Sequence, residues 1–288
     1  MKDKGVLIGF LLPTVAVLVA ISIYPTVYLI RTSLTSQSMA AASAPVEFVG
    51  GRHYLDLLTD PYTFNALKVS GVFTLLTVGI SCAIGMGVAY LLSQDFMQRY
   101  SFIRIFFIIP MVMAPVVIGL TWRIMLWPDF GIINYLLGMV GLPQKGWLGM
   151  ANTALYTVVF IDIWEWTPFV ILVLLAGFQS LPRDPREAAC VDGATNWQVF
   201  RHVSLPLLKP IILVVLLLRL IQAFQWADTI IVMTNGGPGI LTQTASFYTY
   251  QLAFVSFDVG RASAMAVIIL VVTILLSIVL VRSLRRKE

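Results

Sequence analysis

Charged residues are scarce in this 288-residue sequence: they make up 11% of it, against 59% hydrophobic residues. A soluble globular domain carries about 25% charged residues to cover its surface, so a water-soluble fold is excluded. Cysteine is also rare, with only Cys82 and Cys190 present. Two such cysteines provide neither a disulfide framework nor the ligand spacing of a zinc site.

Histidine is scarce, and the common nucleotide-binding and metal-binding motifs are missing. His53 and His202 are the only histidines, and both lie in polar connections. A His-Glu-x-x-His zinc site and a histidine-activated nucleophile inside a membrane are therefore excluded, which argues against an intramembrane protease. The phosphate-binding pattern Gly-x-x-x-x-Gly-Lys-Ser/Thr is also absent. We therefore expect the chain itself not to be an ATPase and to hold no cofactor.

Long apolar segments dominate what is present. Each is about 20 residues long, which is enough for a helix to cross a ~30 Å hydrocarbon layer. Because lipid offers backbone groups no other hydrogen-bond partner, each segment is predicted to be helical. We predict an all-α integral membrane protein that forms one domain over residues 1–288. Its six predicted spans are Val6–Ile30, Val69–Leu92, Phe102–Trp127, Asn152–Phe178, Ile211–Met233 and Ala262–Val281.

Lysine and arginine are unevenly divided between alternate connections, and this predicts the orientation. The positive-inside rule places both termini and the connection after the fourth span in the cytoplasm. The basic residues then inside are Lys2, Lys4, Arg99, Arg104, Arg183, Arg186, Arg201, Lys209, Arg282, Arg285, Arg286 and Lys287. Those outside are Arg31, Arg52, Lys68, Lys145 and Arg261. Because these charges flank spans and form no basic stripe, no nucleic-acid partner is expected.

One polar stretch, residues 180–209, carries helix-capping signals. Asp184 is predicted to cap a short helix, with Glu187 three residues later completing a capping box. Gly193 suits the left-handed conformation that ends a helix. Thr195 and Gln198 predict a second capping box. The stretch therefore predicts a helix, a sharp turn and a second helix.

The second of these helices is predicted to expose an apolar ridge of Trp197, Phe200 and Val203. Small residues around the turn would let another backbone approach closely. From the residues alone, two interpretations stay open. The stretch either docks a cytoplasmic protein, or its helices lie on lipid headgroups or on the protein's own bundle.

The motif Glu187-Ala188-Ala189, followed by Gly193, Val203 and Leu205-Pro206, resembles the EAA loop of permease subunits of binding-protein-dependent ABC importers. Val203 departs from the usual Ile. Further segments resemble the carbohydrate-uptake branch, which includes maltose and glycerol-3-phosphate permeases. They are Phe130–Asn134, Trp147-Leu148, "DTIIVMTNGGPGILTQT" from Asp228 and "SFDVGRASAMAV" from Ser256.

This resemblance implies a translocation subunit in the inner membrane of a prokaryote. Its loop would carry a coupling helix that seats in a cleft of an ATPase subunit. Its implied partners are a second permease in a heterodimer, two ATPase subunits that hold ATP and Mg²⁺, and an extracytoplasmic solute-binding protein that delivers sugar. The implied docking residues are Glu187, Ala188, Ala189, Asp192, Gly193 and Ala194.

Ionisable residues inside spans are costly in lipid and are therefore candidates for a substrate pathway. They are Asp162, Glu165 and Arg219. The predicted substrate-pathway set combines the last two with aromatic, amide and carboxylate groups that can bind sugar hydroxyls. That set is Glu165, Trp166, Arg219, Gln222, Gln225 and Asp228. A structural salt bridge between Arg219 and a fourth-span acid is the alternative role. An ion-coupled secondary transporter, using the same charges, is the alternative function.

Overall fold

The computed structural model describes residues 2–40, 43, 45–94 and 103–285. Within these ranges, the β-structure consists of two isolated bridges, Thr35 with Phe48 and Ser38 with Asp258. The π-helical segments are Phe200–Ser204 and Gln251–Val255. The α-helices, in chain order, are α1 Lys2–Ser33, α2 Arg52–Thr59, α3 Pro61–Leu92, α4 Ile103–Val112, α5 Pro115–Met125, α6 Ile132–Met139, α7 Ala154–Ser180, α8 Asp184–Val191, α9 Asn196–Val199, α10 Leu205–Phe224, α11 Asp228–Met233, α12 Ala245–Tyr250 and α13 Val259–Arg285.

The predicted all-α membrane class is confirmed, although the count of six continuous spans is not. In the described part of the chain, five helical segments are long and apolar enough to cross a membrane. They are Leu11–Ser33, Pro61–Leu92, Ala154–Ser180, Asn196–Met233 and Val259–Ser283.

The third predicted span, Phe102–Trp127, is wrong as a single helix. Phe102 lies outside the described residues, and the remainder divides into α4 and α5. Ala114 between them is extended, with φ −65° and ψ 135°. Pro115 explains the break, because a proline sterically disfavours the helical conformation of the residue before it.

The fifth predicted span, Ile211–Met233, is also interrupted. Helix α10 ends at Phe224, and α11 begins only at Asp228. The Trp226 ring stacks on Phe73 of α3, with ring centroids 4.8 Å apart. Thr244 Oγ1 donates to the Trp226 carbonyl at 3.2 Å. The contacts of Trp226 therefore stabilise a non-helical connection, where the apolar sequence alone predicts a continuous helix.

The chain divides into two compact units. The first comprises the described residues of Met1–Phe64 and Tyr248–Val271, and the second those of Asn65–Phe247 and Val272–Glu288. The single-domain assignment stays a prediction. Of the basic residues used for orientation, Arg99, Arg286 and Lys287 lie outside the described residues, so the orientation also stays a prediction.

A polar cluster holds the first unit together. The Asp60 carboxylate accepts hydrogen bonds from Arg261 Nη2 at 2.8 Å and from the Tyr248 hydroxyl at 2.6 Å. Burial, with the hydrogen bond to Asp60, raises the pKa of Tyr248 to about 12. Tyr248 therefore remains a protonated donor throughout the physiological pH range.

Among the described residues of the second unit, two apolar clusters contribute to its core. One joins α3, α7 and α10 through Ala89, Leu174 and Leu208. The other joins α5 and α7 through Ile118 and Ile161, with Met233 of α11 packed against them. Because both clusters include α7, this helix fixes the positions of the side chains described in the next subsection.

The glycine-rich turn after α11 is tightly packed. Gly236 and Gly239 are left-handed, with φ 83° and 59°. Thr242 Oγ1 donates to the Gly237 carbonyl at 2.7 Å. A Cβ on Gly236 would lie 2.5 Å from the ring of Phe247, whereas one on Gly239 would meet no described heavy atom within 4 Å.

These two glycines give a matched test of the packing. Gly239→Ala should cost about 1–2 kcal/mol, because it meets only the left-handed backbone penalty. Gly236→Ala should cost roughly 1–3 kcal/mol more, because Phe247 must also move. Thermal unfolding of the two purified variants in detergent measures the difference. Equal melting temperatures would contradict the close approach of Phe247 to Gly236.

Candidate functional site

A fully buried ion pair lies between α7 and α10. Arg219 Nη2 contacts Asp162 Oδ1 at 2.5 Å, and both side chains have no exposed surface. Charges removed from water in this way are tolerated only when they are paired. The predicted salt bridge between Arg219 and a fourth-span acid is therefore confirmed, and Asp162 is the partner.

Arg219 has two further contacts. Its Nη1 donates to Gln222 Oε1 at 3.1 Å, one helical turn along α10. Its guanidinium carbon lies 5.8 Å from the centre of the Trp166 ring, in cation–π geometry. The structure thus brings Asp162, Trp166, Arg219 and Gln222 together. Their role in a substrate pathway stays a prediction.

The buried cluster retains unused hydrogen-bonding capacity. Glu165 is one turn from Asp162 and is only 1% exposed. Glu165 Oε2, Asp162 Oδ2 and Arg219 Nε have no hydrogen-bond partner among the described residues. Buried polar atoms are nearly always paired in proteins, so these atoms are suited to hydrogen bonds with water or with polar ligand groups.

Gln225 and Asp228 occupy the break beyond the ion pair. Gln225 is the C-cap of α10, and its backbone N–H bonds to the carbonyls of Ile221 and Gln222. Asp228 is the first residue of α11. Both side chains are exposed. The structure therefore places both side chains at the break that follows α10.

The polar loop of residues 180–209 forms the predicted helix, turn and helix. Helix α8 ends in a Schellman motif, in which Ala194 N–H bonds to the Ala189 carbonyl at 3.0 Å and Gly193 has φ 81°. The predicted capping box of Thr195 and Gln198 is confirmed. Both helical boundaries around the turn thus follow from local chemistry.

The capping box predicted at Asp184 and Glu187 is wrong. Arg183 is the N-cap of α8 and has a helical backbone conformation, with φ −77° and ψ −36°. Asp184 is therefore already inside the helix and makes no capping hydrogen bond. Its carboxylate instead lies in the first turn of α8, where the helix dipole favours negative charge.

Helix α8 contacts little within this chain. No residue of Asp184–Val191 is buried against the rest of the described chain. Glu187, Ala188, Asp192 and Gly193 are exposed, and Ala189 and Ala194 are half-buried. A Cβ on Gly193 would meet no heavy atom of the described chain within 4 Å. The predicted docking residues thus form an open surface.

Aromatic side chains anchor the other end of the loop. Phe200 packs on Tyr90 of α3, with ring centroids 4.6 Å apart, and on Trp197 at 5.3 Å. Tyr90 also donates to the Asn196 carbonyl at 3.5 Å. Phe178 of α7 completes the group, which we call the aromatic anchor (Tyr90, Phe178, Trp197 and Phe200).

The aromatic anchor corrects the predicted ridge. Trp197 remains 63% exposed, but Phe200 and Val203 are half-buried. Tyr90 and Phe178 carry no local signal of this role, because aromatics at the ends of apolar runs are typical of any membrane belt. Their role depends on long-range contacts.

Comparison with known proteins identifies the family. Residues 76–288 match the family described as "Binding-protein-dependent transport system inner membrane component". The chain belongs to this family. It is therefore a membrane permease component of a binding-protein-dependent ABC transporter, as the EAA-like loop predicted. The ion-coupled alternative loses its support, since this family is that of binding-protein-dependent transport.

Individual relatives that are named as permease proteins align with nearly the whole of this permease. A probable ABC transporter permease protein, y4oQ of Sinorhizobium fredii, is 37% identical over 94% of this chain and 87% of its own. The trehalose/maltose transport system permease protein MalF of Thermococcus litoralis is 32% identical over 97% and 94%.

A solved structure shares the fold. It is that of a bacterial alginate ABC transporter in complex with an alginate pentasaccharide-bound periplasmic protein. One of its chains superimposes with a TM-score of 0.83 and 22% identity, covering 99% of this permease and 96% of that chain.

The buried pair yields a double-mutant test. Arg219→Met alone, or Asp162→Leu alone, should destabilise the permease by about 3–5 kcal/mol, because each leaves an unpaired buried charge. The double variant should recover most of that loss, since no isolated charge remains. Unfolding of the four proteins in mixed micelles measures the coupling. A double variant as unstable as the sum of the two single variants would contradict the pairing.

Proposed function

We propose that this permease is one half of the translocation pathway of an ATP-driven sugar importer and that it carries no ATPase site itself. Its family is that of binding-protein-dependent transport. A relative aligned over almost the whole chain is named for trehalose and maltose. The observation that carries the proposal is the open surface of α8 around Gly193, which has no partner within the described chain.

We propose that the surface of α8 docks onto a separate ATPase subunit. Glu187, Ala188 and Asp192 would lie in the contact, and Ala189, Gly193 and Ala194 would let the partner approach the turn. Small side chains favour such close backbone approach. The lipid-surface alternative has weaker support, because Val191 is the one large aliphatic side chain of α8, which leaves the helix little apolar surface to bury among headgroups.

The aromatic anchor would transmit ATPase movement to the spans. Ring packing of Phe200 against Tyr90 and Phe178 joins the loop to α3 and α7. The π-helical segment Phe200–Ser204 leads directly into α10, which carries Arg219. Movement of the docking surface would therefore reach both helices of the buried ion pair.

The substrate pathway would run along the buried cluster and the break after α10. Glu165, Trp166 and Gln222 supply an acceptor, an aromatic face and an amide, while Arg219 holds their arrangement through Asp162. Gln225 and Asp228 would present exposed polar groups at the break. Sugar hydroxyls need such partners to leave water without loss of hydrogen bonds.

The assembly follows from the same function. We propose a heterodimer with a second, homologous permease, two ATPase subunits that bind ATP and Mg²⁺, and an extracytoplasmic solute-binding protein. Helices α4 and α5 would together form one broken crossing, giving six crossings and placing both termini in the cytoplasm. The family description as an inner membrane component agrees with this location.

Gly193→Asn tests the docking surface directly. Asn tolerates the left-handed conformation, so the folded permease should lose only roughly 1 kcal/mol of stability. A Cβ at this position meets no described heavy atom within 4 Å, so a partner is the expected source of a clash. We expect ATPase binding to weaken by at least about fivefold, as for modest overpacking. Copurification of the ATPase and sugar-stimulated ATP hydrolysis measure it.

Gly141→Asn is the matched control. Gly141 has φ 73°, follows α6 in the same pattern of hydrogen bonds and is equally open to a new Cβ. This variant should fold and couple normally. If Gly193→Asn also couples normally, α8 is not the docking surface.

Gln225→Ala tests the substrate pathway. The change removes an exposed amide at the break and should raise the sugar concentration for half-maximal transport by roughly fivefold, the value of about one hydrogen bond. Gln179→Ala is the control, because it removes an exposed amide at the C-terminal end of α7. Transport assays in proteoliposomes compare them. Equal sugar dependence in both variants would remove Gln225 from the pathway.

A further inference from the structure

The connection between α5 and α7 contains the Phe130–Asn134 and Trp147-Leu148 segments, which the proposed function does not use. Buried Asn134 organises it. The Asn134 Nδ2 donates to the carbonyls of Pro128 at 3.1 Å and Lys145 at 2.9 Å. Its Oδ1 accepts from Lys145 N–H at 3.2 Å and from Trp147 Nε1 at 2.9 Å. One side chain thus fixes both sides of the connection.

The connection held by Asn134 encloses a cavity with α5 and the start of α7. Its volume is about 430 Å³, within the range of small-molecule sites. The walls include Trp122, Ile133, Trp147, Tyr156 and Phe160. Because these walls are almost entirely apolar, they suit an apolar ligand better than a sugar, whose hydroxyls would lose their hydrogen bonds.

The position of this cavity matches the edge of a bilayer. Tyr156 and Phe160 lie on the first turns of α7, which begins at Ala154. At 1.5 Å per residue, they fall within about 10 Å of the end of this spanning helix. Tryptophan and tyrosine concentrate at that depth, where acyl chains meet headgroups. Tyr156 and Phe160 are 63% and 55% exposed, so the cavity opens sideways.

Helix α6 next to the cavity is suited to the same depth. Its Tyr135, Leu136 and Met139 side chains are exposed, while Ile133 on the same helix lines the cavity. A short helix that exposes apolar side chains beside a spanning helix favours the membrane interface over water. The mouth of the cavity is therefore suited to a lipid surrounding.

A positive charge stands beside this apolar mouth. Lys145 Nζ lies 5.7 Å from the centre of the Trp147 ring, one of the cavity walls. Ammonium groups near a membrane surface attract anionic headgroups. An apolar cavity with a cation at its rim complements a molecule that joins a hydrocarbon chain to a phosphate.

We propose that this cavity binds one acyl chain of an anionic phospholipid from the adjacent leaflet, with Lys145 pairing with the phosphate. The bound lipid would fill the space between α5, α6 and α7. The proposal requires only a membrane location and does not rest on sugar transport or on ATPase docking.

Photolabelling of the assembled transporter tests this site. The probe is phosphatidylglycerol with a diazirine near the end of one acyl chain, in vesicles of phosphatidylcholine and phosphatidylglycerol. We expect labelled peptides that contain Tyr156 or Phe160. Asn152→Trp, an exposed residue that lines the cavity, should lower this labelling by at least about fivefold through occupation of the space. Met150→Trp, exposed in the same connection but outside the lining, should not.

Lys145→Gln tests the headgroup contact. It should reduce the preference for labelled phosphatidylglycerol over labelled phosphatidylcholine by about fivefold, while the cavity still accepts a chain. Arg52→Gln removes an exposed cation elsewhere and should leave the preference unchanged.

Three results would overturn the proposal. Labelling that Asn152→Trp does not reduce would indicate general contact with surrounding lipid. Labelling that appears in the separate permease but not in the assembled transporter would show that a partner subunit covers the cavity. Displacement of the label by added sugar would assign the cavity to substrate.

Discussion

The backbone of this permease has to satisfy its own hydrogen bonds wherever lipid surrounds it, and the helices follow from that constraint. The breaks are therefore informative. Ala114 is extended before Pro115, the chain leaves the helix between Phe224 and Asp228, and a π-helical segment replaces α-helix over Phe200–Ser204. Side chains hold the last two breaks: Thr244 Oγ1 donates to the Trp226 carbonyl at 3.2 Å, and Phe200 packs into the aromatic anchor.

The breaks lie next to the polar chemistry of the molecule. Arg219, on α10, precedes one break by less than two turns and is fixed to α7 by Asp162. The π-helical segment at the other end of α10 carries Phe200 of the aromatic anchor. In the proposed importer, α7 and α10 therefore join a docking surface at one end to polar groups on the pathway. A rigid connection of this kind lets a movement made outside the membrane alter the pathway without any chemistry in this chain.

Local chemistry in the sequence was sufficient for part of this structure. The Thr195 capping box and the left-handed Gly193 follow from residue types at fixed spacing, and the membrane class follows from apolar run length. The interruptions at Ala114 and Gln225 were not predicted, because hydropathy does not register proline sterics or the packing of Trp226. The partner of Arg219 stayed open between two acids, since both lie on one helix face. Tyr90 and Phe178 became visible only through long-range contacts.

The central claim is that α8 faces the cytoplasm and is covered by an ATPase subunit. Native Cys190 on α8 is exposed, and the only other cysteine, Cys82, is half-buried in α3. A membrane-impermeant maleimide, with Cys190→Ser as the blank, can therefore report on α8 alone. We predict labelling in inside-out vesicles, its absence in right-side-out vesicles, and protection when the ATPase subunits are bound. Labelling from the outer face, or no protection by bound ATPase, would contradict the account.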